Sequence, residues 1–214
     1  MTPAKEAAMQ KTFPEYPGDG ALEEAVAATG APELRVYRPE AVQVVIGRGS
    51  VPGREVDLAA CRTEGVPVYK RRGGGCAVVL DPGCVVVSLV LPLGGFRDNR
   101  ALFRRLTAWL IRGLERAGVR GVEPRDVSDL ALGDRKVGGA CLHRTRRVCA
   151  YGVSLLAAPD LDRVERLLPH PPREPAWRRG RSHRAFMGAL IPEAWNGTAA
   201  ELAESLNRVL EPPP

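Results

Sequence analysis

The stretch CAVVLDPGCVVVSLVLP (76–92) places two apolar, β-branched runs on either side of Asp81-Pro82-Gly83. Three residues can join antiparallel strands but not parallel ones, which need a crossover of a dozen residues or more. The chain is therefore expected to turn back on itself here as a hairpin. Similar signals recur elsewhere. ELRVYRP and VQVVIGRG read as a strand pair about Pro39-Glu40, VPVYKR reads as a strand, and DLALGDRKVGGACLHRTRRVCAYGVSLLA reads as three short strands with two turns.

Helical periodicity appears between these runs. GALEEAVAAT (20–29), GREVDLAACRTEG (53–65), DLDRVERLLP (160–169) and TAAELAESLNRVLE (198–211) read as helices. DNRALFRRLTAWLIRGLERAG is the clearest: Leu102, Leu106, Trp109, Leu110 and Leu114 follow its period, Asp98 can cap it, and Gly118 ends it. Strand pairs mixed with separate helices predict an α+β fold, a mainly antiparallel mixed sheet flanked by helices. The chain is 214 residues long, which suits one such domain over 20–214 after a loose lead-in at 1–19, with no C-terminal accessory domain.

No apolar run is long enough for a membrane helix, and the N-terminus has no secretory h-region. The five cysteines include no C-x-x-C pair, and His143, His170 and His183 are scattered, so no metal site is expected. Reduced thiols and a cytoplasmic location follow as the default. The net charge is +6, but 27 of the 31 cations are arginine. That bias gives more weight to a lysine inside the folded region, since only a need for a compact ammonium group would keep it.

Four stretches are candidates for chemistry. GRGSVPG (47–53) lacks the dinucleotide-site spacing and the βαβ unit that must surround it, and reads as a strand-to-helix connection with Arg48 facing an anion. KRRGGG (70–75) sets consecutive glycines beside cations. Backbone N–H groups can approach phosphate oxygens there, Arg71 or Arg72 can bind bidentately, and Lys70 can act as a point charge. In KVGGA (136–140) little side-chain bulk follows Lys136, so a ligand could lie across the strand. The proline- and arginine-rich PPREPAWRRGRSHRAF (171–186) reads first as a solvated basic loop. No P-loop and no G-x-S-x-G is present.

Together these residues resemble the lipoate–protein ligase family within the biotin/lipoate ligase and octanoyltransferase superfamily. The family pattern R-R-x-[ST]-G-G-G-x-V-x-H-D-x-G-N falls without gaps on KRRGGGCAVVLDPGC (70–84), and its later N-D…K-[IV]-x-G-[SA]-A falls on SDLALGDRKVGGA (128–140). Lys70, Cys76, Leu80, Cys84 and Ser128 depart from the pattern. The resemblance implies the catalytic fold of class II aminoacyl-tRNA synthetases and biotin ligases. It also implies ATP, Mg²⁺ and lipoic acid (or octanoate) as ligands, and an acyl-adenylate as intermediate.

In that reading Lys136 is catalytic. Arg71, Gly73, Gly74, Gly75, Cys76, Arg48, Asp129, Gly138, Gly139 and Ala140 bind the acyl-adenylate, and Asp129 contacts Mg²⁺ or ribose. The implied acceptor is a lipoyl carrier domain of glycine-cleavage H type, dehydrogenase E2 type or lipoate-binding protein type, with an accessory ligase subunit as a further partner. Residues 173–184 would close over the adenylate or meet an acidic carrier. Membrane is not an expected partner, and the few aromatics disfavour nucleic acid. Two competitors stand beside this reading. One is an octanoyl-acyl-carrier-protein:protein octanoyltransferase, whose nucleophilic cysteine is absent from both VEPRDVSDL and LLPHPPREP. The other is a non-catalytic anion- or nucleic-acid-binding module.

Overall fold

The computed structural model describes residues 13–17, 19–93 and 98–213. Its elements run α1 (Asp19–Thr29), β1 (Glu33–Tyr37), β2 (Gln43–Ile46), α2 (Pro52–Glu55), α3 (Leu58–Thr63), β3 (Val68–Lys70), β4 (Val78–Leu80) and β5 (Cys84–Pro92). They continue with α4 (Asn99–Ala117), β6 (Val122–Arg125), β7 (Asp129–Leu132), β8 (Arg135–Arg144), β9 (Val148–Leu156), α5 (Leu161–Leu167), α6 (His183–Phe186) and α7 (Ala199–Val209). A single 3₁₀ turn spans Ala176–Arg178.

Two sheets form. The larger has the order β1-β5-β9-β8-β7-β6 with every pairing antiparallel. The smaller has the order β3-β2-β4, with β2 and β3 parallel. The fold is thus α+β with a mainly antiparallel sheet, as the sequence predicts. One face of the large sheet carries Val36, Val85, Val87, Leu89, Val153 and Leu155, and packs on Leu102, Leu106, Leu110 and Leu114 of α4 and on Leu202 and Leu206 of α7. The other face is covered by Val26 of α1 at Val90 and Val148, and its remainder is left for the site.

Helix α4 is bounded as expected. The Asp98 carboxylate accepts from Arg100 N–H, and Gly118 takes the left-handed conformation at φ +99°. The helix expected over 53–65 is divided, because Asp57 caps a new start by accepting from Ala59 and Ala60.

Three expectations are corrected. First, β1 and β2 do not pair. Val44, Val45 and Ile46 are all buried, so β2 suits the middle of a small sheet covered on both faces, whereas β1 exposes Arg35 and lies at an edge. Second, the Asp81-Pro82-Gly83 turn forms, with Asp81 accepting from the Gly83 and Asp160 N–H groups, but no hairpin follows. Strand β5 gives both edges to β1 and β9, so β4 joins β2 instead. Third, the lead-in is not loose where it is described. Tyr16 N–H donates to Lys70 O, and Lys70 N–H to Pro14 O, both at 2.9 Å, which adds residues 14–16 to the free edge of β3. Residues 1–12 lie outside the described residues.

Candidate active site

A cavity of about 450 Å³ lies between the free face of the large sheet and the small sheet. Strand register gives its axis. Tyr37 pairs with Val86, Val86 with Ser154, Ser154 with Gly139, and Gly139 with Asp129, so one row crosses five strands. All five residues line the cavity. Four inter-strand steps of about 4.8 Å put Tyr37 about 19 Å from Asp129. At the Tyr37 end the walls are Tyr16, Val45, Val78, Leu80 and Val86. Ser88, Gly152 and Cys141 form a neighbouring row of small side chains, and the far end holds Asp129, Lys136, Glu174, Arg178 and His183. One end is apolar and the other is charged.

A β-bulge makes the charged end. The register between β7 and β8 shifts at Leu130/Ala131, so Leu130 faces Gly138 while Ala131 faces Lys136. The extra residue, Val137, turns into the helix-covered core at 1% exposure. Lys136 and Gly139, three residues apart, therefore share the cavity face, which unbroken alternation would forbid. Lys136 lies over Gly139: a Cβ there would sit 3.1 Å from Nζ. Lys136 Nζ donates to Asp129 Oδ1 at 2.6 Å. Trp177 Nε1 donates to the other carboxylate oxygen at 3.2 Å. Asp129 is buried and both its oxygens are engaged within the protein, so it anchors the lysine rather than standing open as a metal or ribose contact.

The glycine loop forms the rim. Arg71 does not point its guanidinium at a ligand. It donates to Gly74 O at 2.6 and 3.1 Å, to Cys76 O at 2.8 Å and to Val45 O at 3.0 Å, tying the loop to β2. Arg72 is drawn away to Glu15 and the buried Glu23. Gly47 is required by close approach, since a Cβ would sit 2.0 Å from Gly75 O. Glu55 holds this contact from behind, accepting from Ser50 Oγ and Ala77 N–H at 2.8 Å.

Of the residues singled out from sequence, Arg71, Gly75, Cys76 and Asp129 line the cavity, together with Lys136 and Gly138–Ala140. Gly73, Gly74 and Arg48 do not. Gly73 is buried against Cys141, and Arg48 is exposed, with its N–H donating to Gly73 O.

Residues 171–186 are not a solvated basic loop. Trp177 packs on Phe186 at 4.5 Å between ring centres with the rings tilted by 55°, and Arg178 and Arg181 exchange Nε-to-carbonyl bonds at 2.9 Å. Arg178 is 4% exposed, lines the cavity, and has a buried Nη2 without a hydrogen-bond partner. Burial pushes its guanidinium down from its ordinary pKa. Glu174 Oε2 lies 3.6 Å from Arg178 Nε, so the charge is partnered while Nη2 remains a donor without an acceptor. Arg178 is thus out of reach of a carrier domain, whereas Arg179 is exposed. The sequence marks Trp177 and Arg178 only as part of the basic stretch 173–184, and Tyr16 and Tyr37 not at all, because nothing local distinguishes them.

Among the described residues no group of three or more His, Cys, Asp or Glu side chains could hold a metal ion, and no helix is long and apolar enough to cross a membrane.

Comparison with known proteins gives the context. The lipoyl protein ligase A/B catalytic domain matches residues 19–211. A provisionally named lipoate-protein ligase A of Aeropyrum pernix is 31% identical over 159 residues, covering 74% of this chain and 55% of its own. Lipoate-protein ligase A subunit 1 of Thermoplasma acidophilum is 27% identical over 192 residues, covering 82% and 72%. The chain therefore spans little more than half of the first relative's length. Among solved structures, a bi-partite lipoate protein ligase of Thermoplasma acidophilum, studied with its E2 lipoyl domain, superposes with TM-score 0.73 at 25% identity, over 92% of this chain and 79% of that one. A lipoate-protein ligase A bound with ATP superposes with TM-score 0.71 at 25% identity, over 92% and 81%. Biotin protein ligase of Leishmania major, at TM-score 0.51 and 16% identity over 89% and 67%, shares the fold. By its match over residues 19–211, this chain belongs to the lipoyl protein ligase A/B catalytic-domain family.

Proposed function

We propose that this chain is an ATP-dependent lipoate–protein ligase. It activates lipoate or octanoate as an acyl-adenylate and passes the acyl group to a lysine of a lipoyl carrier domain. The observation that carries this reading is one cavity with an apolar end at Tyr37 and Val86 and a charged end where Lys136 and Arg178 stand beside Asp129 and Glu174. A fatty acid fits it in one direction only, with its carboxylate toward the lysine. The ATP-bound relative supports the nucleotide, and the Thermoplasma pair supports the lipoyl domain and a second ligase subunit.

A carboxylate oxygen attacks the α-phosphorus, its bond to the bridging oxygen breaks, and pyrophosphate leaves. The acceptor amine then attacks the acyl carbonyl, and AMP leaves with the bonding pair. Lys136 lies where carboxylate and α-phosphate would meet, and stabilises the charge that develops there. Arg178 Nη2 offers a second donor. Gly138, Gly139 and Ala140 form a floor on which the adenylate can lie, and Gly75 and Cys76 flank the acyl chain. Arg71, Gly73 and Gly74 act by shaping the loop, and Arg48 would meet only a phosphate outside the cavity. Among the described residues no carboxylate cluster could cage Mg²⁺, which would arrive on the nucleotide's own phosphates and neutralise their charge there. The accepted carrier would be of H, E2 or lipoate-binding type.

The octanoyltransferase reading is favoured by one observation: the Cys76 thiol lines the cavity, with Sγ 3.5 Å from Arg173 O. An octanoyltransferase of Gloeobacter violaceus is 30% identical over 105 residues, covering 49% of this chain and 47% of its own.

The test is the intact mass of a lipoyl carrier domain after incubation under three conditions: ATP, Mg²⁺ and lipoate; the same with octanoate; and octanoyl-acyl-carrier protein without ATP. An adduct that needs ATP and disappears with Lys136→Ala supports the ligase. An adduct only in the third condition overturns it in favour of transfer through Cys76. No adduct in any condition, with a second ligase subunit present as well, overturns both.

A further inference from the structure

The apolar end of the cavity is closed by a residue outside every motif. Tyr16 is 8% exposed and lines the cavity. Its ring packs on Val45, Leu80 and Val86, with Tyr69 edge-on at 6.2 Å between centres. Its hydroxyl lies 2.8 Å from that of Tyr37, the residue at the far end of the row from Asp129. Three features fix its backbone: Tyr16 N–H donates to Lys70 O, Lys70 N–H donates to Pro14 O, and Glu15 is bound at 2.6 Å by Arg72 Nε. Arg72 reaches on to Glu23 of α1. The two phenols thus form a wall held from both sides.

We propose that Tyr16 sets the length of acyl chain the site accepts. The inference rests on the ligase reading above and deepens it. From Tyr37 to Gly139, over which Lys136 Nζ lies, is three inter-strand steps, about 14 Å, a span that the tyrosine rings at one end and the lysine contact at the other shorten to that of a medium-length acyl chain. The terminal carbons of a longer chain would have to displace the Tyr16 ring, whose hydroxyl is paired and whose backbone is clamped. Its removal opens space that extra methylenes can fill, and each buried methylene favours the longer acid by about fourfold.

The experiment measures ATP-dependent pyrophosphate release, as kcat/KM, for straight-chain acids from hexanoate to tetradecanoate, with the full chain and with Tyr16→Ala, Tyr16→Leu and Tyr16→Phe. Melting curves are taken for each variant. The expected result is a rise of about sixteenfold in the decanoate-to-octanoate ratio for the Ala and Leu variants, two methylenes at about fourfold each, with the wild-type ratio kept by Phe, whose ring remains. Should Tyr16→Ala not fold, Tyr16→Leu carries the test, since it keeps an apolar contact to Val45 and Leu80. A folded, active Ala or Leu variant with the wild-type ratio overturns the wall. A wild-type protein that, with a second ligase subunit present as well, releases no pyrophosphate with any acid, and whose melting temperature no acid moves, overturns instead the ligase reading on which the wall depends.

Discussion

Lys136 Nζ stands 2.6 Å from Asp129 Oδ1, and the same carboxylate is held from its other side by Trp177. The lysine is thus aimed by a buried acid whose other oxygen accepts from Trp177. Asp129→Asn keeps the shape and removes the attraction. The expected outcome is a fall of about a hundredfold in kcat for adenylation with little change in the KM for ATP, because a charge-stabilising group displaced by about 1 Å loses that much. A change confined to KM would mean that Asp129 serves binding instead.

Gly139 gives a second test of the same geometry. A Cβ there would press on Lys136 Nζ at 3.1 Å and Cε at 3.2 Å, the movable end of a long side chain. Gly139→Ala is expected to melt near the wild-type temperature yet lose about tenfold in adenylation, since the fold is spared and only the lysine is moved. Wild-type rates would show that the position of Lys136 over Gly139 is incidental.

The sequence makes some of this legible and hides the rest for physical reasons. Helix α4 is readable end to end because Asp98 and Gly118 are local signals and its apolar period is complete. Lys136 is readable because arginine is the default cation of this chain. The bulge that turns Lys136 and Gly139 to one face is not, since Val137 looks like any strand valine until the partner register is known. Partner choice is equally hidden. Asp81-Pro82-Gly83 encodes a turn, but whether β4 pairs with β5 depends on β1 and β9 having already taken both edges of β5. Arg71 misleads because an arginine beside glycines suits an anion and a ring of carbonyls equally well. Tyr16 is silent, because only the pairing of residues 14–16 with β3 brings it to the cavity.

That role for Arg71 has its own consequence. Its guanidinium reaches three carbonyl groups, of Val45, Gly74 and Cys76. Arg71→Ala is expected to lower stability by about 3 kcal/mol, the scale of losing charged hydrogen bonds while water replaces some of them. Arg71→Lys should recover little, because one ammonium cannot serve carbonyls spread around a planar fork. Thermal denaturation decides. A Lys variant as stable as wild type would return Arg71 to the role of phosphate ligand.

Gly47 and Gly49 form a matched pair two residues apart. A Cβ at Gly47 would sit 2.0 Å from Gly75 O, while a Cβ at Gly49 would point into open space. Gly47→Ala is expected to cost about 1–3 kcal/mol by forcing the glycine loop outward, and to slow adenylation with it. Gly49→Ala should melt as wild type does. Equal melting temperatures for the two variants would show that the loop yields without penalty.

The strap that carries Trp177 and Arg178 also holds a pH-sensitive group. His183 is 8% exposed, its Nε2 donates to Pro169 O at 3.3 Å, and burial pushes its pKa below the ordinary value of about 6.5. Above pH 6.5 the imidazole is neutral in both folded and unfolded chains, so it leaves stability unchanged. As pH falls below 6.5 the unfolded chain takes up the proton first, and stability is lost until the lower, folded pKa is reached. The slope from one such group is bounded by about 1.4 kcal/mol per pH unit. His183→Gln keeps a donor for Pro169 and removes the titration. Between pH 7.5 and pH 5.5 the wild-type melting temperature should fall further than the variant's, with carboxylate effects common to both. Parallel curves would show that His183 titrates alike in the folded and unfolded chains.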